Sequence, residues 1–465
     1  MRVPTTVGRG LAQVTISFDA WKEGKVAPTV HQLAVIAPRR KLALEGVSSR
    51  LKGSLIHPNR QSQIVGIRYS PDGKRLVAGD YPGGVVQVWD VETGRSLEKI
   101  ETGYGFKSTH DYFFISPDWK SVFAWREKRI PNRLEKDGNR IYHWEFGGEI
   151  RGWDLATGEL VHQFHQTPMR GNRWMTMSPD GSTFLVLEEL PGEADGNPPR
   201  AMTLVDAKTG QFRQLEGNLS IGGQFSRDSR TVPVEVVDDD FNTVAIQICD
   251  VATGKFTRSF PLGDGPVMAG WSTISPDGKL LVTAETVLPK DGMWKDRRTQ
   301  IRFRDVATGS VSASFPLDEK EANMSDLEFS PDRSTLAAVV STKSQAAVLL
   351  FDARQQKLFR TVVLSDEKAI TRTPAFSGDG RWLAVVTQVF PQESERDRNW
   401  SVEDVAQPRI HLVEMATGTI RETLVGPQAF TASVCFSPDG KTLAAGGHGQ
   451  VDLWDVEDVS SNVSK

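Results

Sequence analysis

The chain is a succession of short apolar runs, some alternating with polar residues and some continuously apolar, set between polar turns. Residues 64–69 and 75–78 flank one such turn near the N-terminus, and residues 432–436 and 442–445 flank another near the C-terminus. Short runs rich in β-branched and aromatic residues predict β-strands. Between these runs, no useful length shows the 3.6-residue apolar period of an amphipathic helix. We therefore expect an all-β protein.

A turn similar to Ser-Pro-Asp-Gly separates two apolar runs at eight places. Serine in the first position can accept a hydrogen bond from the backbone, and proline presets φ in the second. Aspartate and glycine suit the tight or left-handed positions that close a hairpin. Each copy therefore predicts a hairpin between a first and a second strand. The eight copies begin at Ser70, Ser116, Ser178, Ser226, Ser275, Ser330, Ser377 and Ser437.

A second motif follows each of these turns: an apolar run that ends in an acidic residue, in most copies with a Thr-Gly pair beginning three residues later. An aspartate there can bind backbone amides two or three residues ahead, and the glycine suits a positive φ. The motif therefore predicts a hairpin between a third strand and a fourth. The acidic residues are Asp90, Asp154, Asp206, Asp250, Asp305, Asp352, Glu414 and Asp455.

Four strands in each repeating unit match the blade of a β-propeller. Successive first turns are 46 to 62 residues apart, which suits a blade that carries loop insertions. A parallel array would instead need helices between its strands. We predict a single closed β-propeller over residues 61–458 with eight blades. Seven blades is the alternative, if the degenerate unit at Ser226 or Ser377 is absorbed differently.

These repeats resemble the WD-repeat family, in the loose form of bacterial, YVTN-like propellers, across residues 60–456. Three units keep the Trp-Asp pair, at Trp89, Trp153 and Trp454, and the other five keep an acidic residue. The Gly-His pair that opens a well-formed WD repeat is missing before every first strand. We therefore expect the family's buried His-centred hydrogen-bond network to be absent. The resemblance implies a propeller held mainly by apolar packing between neighbouring blades.

The last unit has no fourth strand of its own, because a polar tail, residues 459–465, follows soon after its third strand. Residues 1–60 form an N-terminal segment. Within it, residues 34–44 resemble a degenerate copy of a third strand, a turn and a fourth strand. We expect residues 41–46 to supply the outer strand of the last blade, which would leave no long unpaired edge. Residues 14–30 have two open explanations: a hairpin laid on the ring, or the remnant of a longer N-terminal region.

Composition narrows the classes of partner. The 55 basic and 59 acidic residues give a formal net charge of -4 and are interspersed without a basic stripe, so nucleic acid is a poor candidate. No apolar stretch is long enough to span a membrane, and no secretory signal is seen, so we expect a cytoplasmic protein. Cys249 and Cys435 lie in strand-like runs and fit core packing better than a disulfide or a metal site.

Function is expected on one side of the ring. Turns between first and second strands and between third and fourth strands open on one face, and they are short and uniform. The connections between second and third strands open on the opposite face and carry all the long insertions, residues 126–149, 188–200, 287–300 and 389–409. Loops on a rigid scaffold commonly carry recognition residues, so this face is the predicted binding surface for another protein.

Arginine and aromatic residues, which are enriched at interface anchors, are frequent in these insertions. For any single loop, a solvated and variable hairpin tip is the commoner explanation; for the whole face we favour binding. The predicted partner-binding residues are Arg129, Arg133, Arg140, Tyr142, Trp144, Trp294, Arg297, Arg398 and Trp400.

An enzyme is the alternative: a metal-dependent propeller, or a hydrolase acting on small esters, lactones or sugars. The eight histidines are scattered, and the odd offset between His162 and His165 places them on opposite faces of a strand. The run Asp238-Asp239-Asp240 could attract a cation, but a solvated charged hairpin tip is the commoner explanation. Motifs for a catalytic nucleophile, a zinc site or a phosphate-binding loop are missing. We therefore predict a non-catalytic scaffold without a cofactor.

Overall fold

A computed structural model gives the fold, and it divides the chain into two units, Met1–Val47 and Ser48–Lys465. All the residues that the structure describes belong to the second unit. They are residues 49–60, 62–81, 84–102, 113–136, 139–169, 171–189, 200–220, 222–240, 242–262, 267–287, 297–317, 322–367, 369–371, 374–389, 408–426, 431 and 433–457. For residues 126–148, 165–173 and 188–189, only the backbone pairing is considered below.

The described residues form eight antiparallel sheets, which we call blades 1 to 8 in chain order. After β1 (Leu51–Ile56), blade 1 contains β2 (Gln63–Tyr69), β3 (Arg75–Tyr81), β4 (Val85–Asp90) and β5 (Ser96–Glu101). Blade 2 contains β6 (Phe113–Ile115), β7 (Ser121–Lys136), β8 (Asn139–Asp154) and β9 (Leu160–Met169). Blade 3 contains β10 (Gly171–Met177), β11 (Thr183–Glu189), β12 (Arg200–Asp206) and β13 (Phe212–Leu215). Blade 4 contains β14 (Leu219–Ser220), β15 (Thr231–Val237), β16 (Thr243–Asp250) and β17 (Phe256–Pro261).

The second half of the ring repeats this arrangement with one irregular blade. Blade 5 contains β18 (Val267–Ile274), β19 (Leu280–Val287), β20 (Arg298–Asp305) and β21 (Val311–Pro316). Blade 6 contains β22 (Asn323–Phe329), β23 (Thr335–Ser341), β24 (Ala346–Asp352) and β25 (Lys357–Ser365). In blade 7, β26 (Ala369–Thr371) and β27 (Ala375–Phe376) share the inner position beside β28 (Trp382–Val389), β29 (Arg409–Glu414) and β30 (Thr419–Val425). Blade 8 contains β31 (Ser433–Phe436), β32 (Thr442–Gly446) and β33 (Gln450–Asp455). The predicted eight-bladed, all-β propeller is confirmed.

The predicted turn chemistry holds in all eight Ser-x-Asp turns. Each serine hydroxyl donates to the aspartate side chain at 2.5–2.7 Å. The backbone amide five residues after the serine donates to the same hydroxyl at 2.8–3.0 Å. The fourth turn position has φ between 57° and 73° throughout, and Trp119, Ser229 and Arg333 occupy it without being glycine. The turn is therefore set by the Ser-Asp pair more than by the glycine.

The core of the described propeller consists of apolar clusters that lie between neighbouring blades. Val88 of blade 1 and Trp153 of blade 2 belong to one cluster, and Leu412 of blade 7 and Trp454 of blade 8 belong to another. A further cluster joins Trp89 of blade 1 to blade 8 and so closes the ring. The other five clusters join the remaining neighbours in order. Every blade therefore packs on both of its faces.

The outer strand of blade 8 is β1, which comes from the N-terminal side of the chain. It pairs antiparallel with β33, with Leu51 opposite Trp454 and Ile56 opposite Gln450. The prediction placed this strand at residues 41–46, and those positions were wrong; residues 41–46 themselves lie outside the described residues. Only Leu55 of β1 is buried, so the apolar period by which strands are recognised is almost missing there.

Contacts just before β1 fasten it further. The backbone amide of Asp455 donates to the carbonyl oxygen of Arg50 at 2.9 Å. The guanidinium of Arg50 forms an ion pair with Glu422 on the outer strand of blade 7, with 2.5 Å between Nε and Oε2. Two neighbouring blades thus hold the closing strand.

The expected absence of a His-centred network needs a correction in blade 1. His57 is fully buried, and its ring centroid lies 6.1 Å from that of Trp89. Asn59 links it to the buried Asp80: the Asn59 amide donates to His57 Nδ1 at 3.2 Å, and Asn59 Nδ2 donates to Asp80 at 3.0 Å. Burial lowers the pKa of His57, so the ring stays neutral. A buried His, Asp and Trp thus meet in blade 1 without the Gly-His pair.

Removing β1 should destabilise the ring. We expect deletion of residues 1–56 to lower the melting temperature by on the order of 5 °C relative to deletion of residues 1–47, because only the longer deletion exposes the edge of β33 and the cluster beneath Leu55. Differential scanning calorimetry of the two truncated proteins would measure this. Equal melting temperatures would show that β1 does not fasten the ring.

Candidate functional site

The alternation of strand direction assigns every connection to one of two faces. The Ser-x-Asp turns and the turns between third and fourth strands share one face, which we call the turn face. The connections between second and third strands share the other, which we call the insertion face. Blades 2, 3, 5 and 7 have the long connections, and blades 1, 4, 6 and 8 have short ones. All four predicted insertions therefore connect strand ends at the insertion face.

The insertion of blade 2 is a long β-hairpin. Strands β7 and β8 each contain 16 residues and pair without a break from Ser121 opposite Asp154 to Lys136 opposite Asn139. The outer neighbour β9 pairs with β8 only as far as Phe146. Beyond that point, the described strands form a two-stranded ribbon. At about 3.3 Å per residue, the seven residues 130–136 give this ribbon a length of about 23 Å.

The register of this hairpin brings predicted residues to one face. Arg129 pairs with Phe146, Arg133 with Tyr142, and the two positions between them, 131 and 144, pair with each other. Directly paired residues of an antiparallel ladder lie on the same side, and alternate residues of one strand do as well. Five of the predicted partner-binding residues therefore occupy one face of the hairpin: Arg129, Arg133, Arg140, Tyr142 and Trp144.

The other predicted residues are distributed among blades 5 and 7. Arg297 lies just before β20, and its Nη2 donates to Asn323 Oδ1 of blade 6 at 2.8 Å. This contact ties the end of the blade 5 insertion to the next blade. Trp294, Arg398 and Trp400 lie outside the described residues.

A polar group at the base of the hairpin was not foreseen from the sequence. Glu149 is 6% exposed; Arg151 approaches its Oε1 at 2.7 Å, and Gln163 Nε2 donates to its Oε2 at 2.9 Å. Arg151 lies two residues along the same strand, and Gln163 comes from β9. The alternation Glu-x-Arg was the available signal, because residues two apart on a strand share a face. The group holds a buried charge where the ribbon leaves the blade.

The inner strand of blade 6 places two carboxyl groups close together. Burial raises the pKa of Asp326 to about 6 and that of Glu328 to about 8. Asp326 accepts a hydrogen bond from the Leu327 amide, whereas Glu328 Oε2 is buried without a hydrogen-bond partner in the described residues. Glu328 is therefore protonated at neutral pH. Among the described residues, no group of three or more His, Cys, Asp or Glu is arranged to hold a metal ion.

The described residues that the sequence analysis weighed as metal ligands have ordinary structural contacts. His162 stacks on Phe123, with 5.5 Å between ring centroids. Cys249 and Cys435 are free thiols, and burial raises their pKa values to about 12 and about 11. Asp238 caps its own turn, because its Oδ1 accepts hydrogen bonds from the amides of Asp240 and Asn242. These contacts agree with core packing for the cysteines and with a charged hairpin tip for the aspartate run.

Comparison with known protein families gave a match to part of the chain. The family model "WD domain, G-beta repeat" matches residues 418–455, which extend from the last turn of blade 7 through the third strand of blade 8. This match and the eight-bladed fold together support a WD-repeat propeller. A comparison with curated proteins found no match. No helix in the part of the chain that the structure describes is long and apolar enough to cross a membrane.

A buried carboxyl group near the insertion face should make stability depend on pH. Thr243 Oγ1 donates to Glu235 at 3.0 Å, and burial raises the pKa of Glu235 from its ordinary 4.5 to about 8. Below pH 4.5 the group is protonated in both folded and unfolded chains; as the pH rises toward 8, only the unfolded chain ionises, so stability is lost. Glu235→Gln keeps a neutral hydrogen-bonding group and removes this loss.

We expect the melting temperature of Glu235→Gln to equal that of the wild type near pH 4.5 and to exceed it by a few degrees at pH 8. Thermal denaturation at both pH values would measure the difference. A gap that does not widen with pH would contradict the assignment of a protonated Glu235.

Proposed function

We propose that this chain is a non-catalytic protein-binding scaffold that holds a partner protein on its insertion face. WD-repeat propellers are commonly scaffolds for protein interaction. The long connections all lie on this face, whereas the turn face has short turns built to one pattern. The cytoplasmic location and the bacterial, YVTN-like subtype remain predictions from the sequence.

The observation that carries the proposal is the register of the β7–β8 hairpin. Three arginine and two aromatic positions fall on one face of a ribbon that extends past its own blade. Arginine, tyrosine and tryptophan are the residues most enriched at interface hot spots. A hairpin fixed to a rigid blade presents them with less loss of conformational entropy than a free loop would.

Charge reversal on this hairpin face should weaken partner binding. The wild-type protein would be used as bait in its native cell, and a partner identified by mass spectrometry would then be purified. We expect the triple variant Arg129→Glu, Arg133→Glu, Arg140→Glu to bind that partner at least tenfold more weakly in calorimetry, because it replaces attraction by repulsion.

A matched control makes an equal change of charge on the turn face. Lys208→Glu, Lys255→Glu and Lys279→Glu alter exposed lysines on the turn face and should leave the affinity within twofold. A second variant, Tyr142→Ala with Trp144→Ala, separates anchoring from charge: its effect should persist at high salt, whereas that of the arginines should shrink. Unchanged affinity of the arginine variant would refute the proposed binding face.

A further inference from the structure

Blade 1 differs from the other blades at one position of the repeat. The residue just before each turn serine is Ile115, Met177, Phe225, Ile274, Phe329, Phe376 or Phe436 in blades 2 to 8. In blade 1 it is Tyr69. Blade packing at this position needs only an apolar side chain, so the tyrosine hydroxyl is an addition that packing does not explain.

The hydroxyl of Tyr69 has no hydrogen-bond partner in the described residues, although the side chain is only 8% exposed. A buried polar group is unfavourable unless a ligand or water satisfies it. Burial raises the pKa of Tyr69, and the nearby charge of Asp439 raises it further. The phenol is therefore neutral, lies near the Asp439 carboxylate and can accept or donate a hydrogen bond.

Tyr69 lies in the wall of a cleft of about 530 Å³ on the turn face, between blades 8 and 1, which we call the seam cleft. This volume is within the range of small-ligand sites. The cleft is formed by the first turn of blade 1, its turn between third and fourth strands, and the first turn of blade 8. Its charged residues are Asp72, Lys74, Asp90, Glu92 and Asp439.

Three aspartates of the seam cleft are ionised and have unused oxygens. Hydrogen bonds from Ser70, Thr93 and Ser437 lower the pKa values of Asp72, Asp90 and Asp439, respectively. Each of these bonds ends on Oδ1, and none from the described residues reaches Oδ2 of the three aspartates. Four carboxylates and one lysine line the cleft, and Arg95 and Lys441 lie near Asp90 and Asp439. The four carboxylates belong to three separate turns, and none of them is part of a metal-binding group in the described chain.

We propose that the seam cleft binds the basic side chain of a partner protein, with arginine as the best fit. A planar guanidinium presents five N–H donors and can reach the Tyr69 hydroxyl and more than one carboxylate together. An organic cation also suits charges spread along a cleft better than a single metal ion does. The seam cleft lies on the turn face, so this site is separate from the insertion face and does not rest on its function.

The test titrates the whole protein at low salt with an acetylated and amidated Gly-Ser-Arg-Ser-Gly peptide in calorimetry. We expect saturable binding that falls about fivefold or more when citrulline replaces arginine. Tyr69→Phe should weaken binding about fivefold, because it removes one hydrogen bond to a charged group. Without peptide, Tyr69→Phe should melt at or above the wild-type temperature, because phenylalanine already occupies this position in four other blades.

Two further variants make the test specific. Glu92→Ala places in blade 1 the residue found at the equivalent position of blades 2, 4, 5 and 7, and it should also weaken binding. Glu159→Ala, an exposed change at the corresponding turn of blade 2, should leave binding unchanged. The triple arginine variant of the insertion face should bind the peptide like the wild type, which separates the two proposals.

Three results would overturn the proposal. The first is no binding of the arginine peptide to the wild type. The second is equal binding to wild type and Tyr69→Phe, which would remove the hydroxyl from the site. The third is agmatine binding as tightly as the peptide, which would assign the seam cleft to a free organic cation and not to a protein segment.

Discussion

Packing between neighbouring blades is the interaction on which the other features of the propeller depend. The second and third strands of a blade are apolar on both faces; Ala346 to Phe351 of β24, for example, are buried at every position. A single sheet cannot cover both of its own faces, so each blade needs a neighbour on each side. Only a closed ring satisfies this for the first and last blades. The closing strand β1 completes the sheet of blade 8 at the place where chain connectivity alone would leave an edge.

The same constraint decides where charge is allowed in the core. Arg304 occupies, in blade 5, the position that tryptophan holds in blades 1, 2 and 8, and it is 2% exposed. Its Nη1 lies 2.5 Å from Glu285 Oε1, and Arg302 approaches the other carboxylate oxygen at 2.9 Å. The buried charge of Arg304 is tolerated because its partner, Glu285, lies on the adjacent strand β19. The hydroxyl of Tyr69, whose side chain is 8% exposed, has no such partner in the described residues, and our proposal assigns it to a ligand.

The two faces of the ring are under different restrictions. On the turn face, each hairpin between a first and a second strand is closed by a serine hydroxyl that binds both an aspartate and a backbone amide, and this leaves little room for insertion. Connections on the insertion face carry no such requirement, so they lengthen without disturbing the blades. The β7–β8 hairpin shows the result: 16-residue strands extend from a blade whose core remains ordinary. Within one repeat, the connection on the insertion face can therefore vary in length while the turns on the turn face keep one geometry.

The sequence by itself determined the features that arise within a few residues. Ser-x-Asp turns and acidic strand ends can be recognised from a few neighbouring residues. They therefore predicted the all-β class, the four strands of a blade, the count of eight blades and the face that carries the insertions. Five of the nine predicted binding residues share one hairpin face because the unbroken pairing of β7 with β8 fixes which positions lie on the same side. The outer strand β1 was misplaced because an outer strand buries little and leaves no apolar period to recognise.

Tertiary structure alone decided which distant residues meet. The approach of His57 to Trp89 and the position of Tyr69 beside the first turn of blade 8 bring together residues from different repeats or from different parts of one. Such contacts follow from how blades pack and where the ring closes. No local pattern contains that information, because the partner's identity depends on which blade becomes the neighbour.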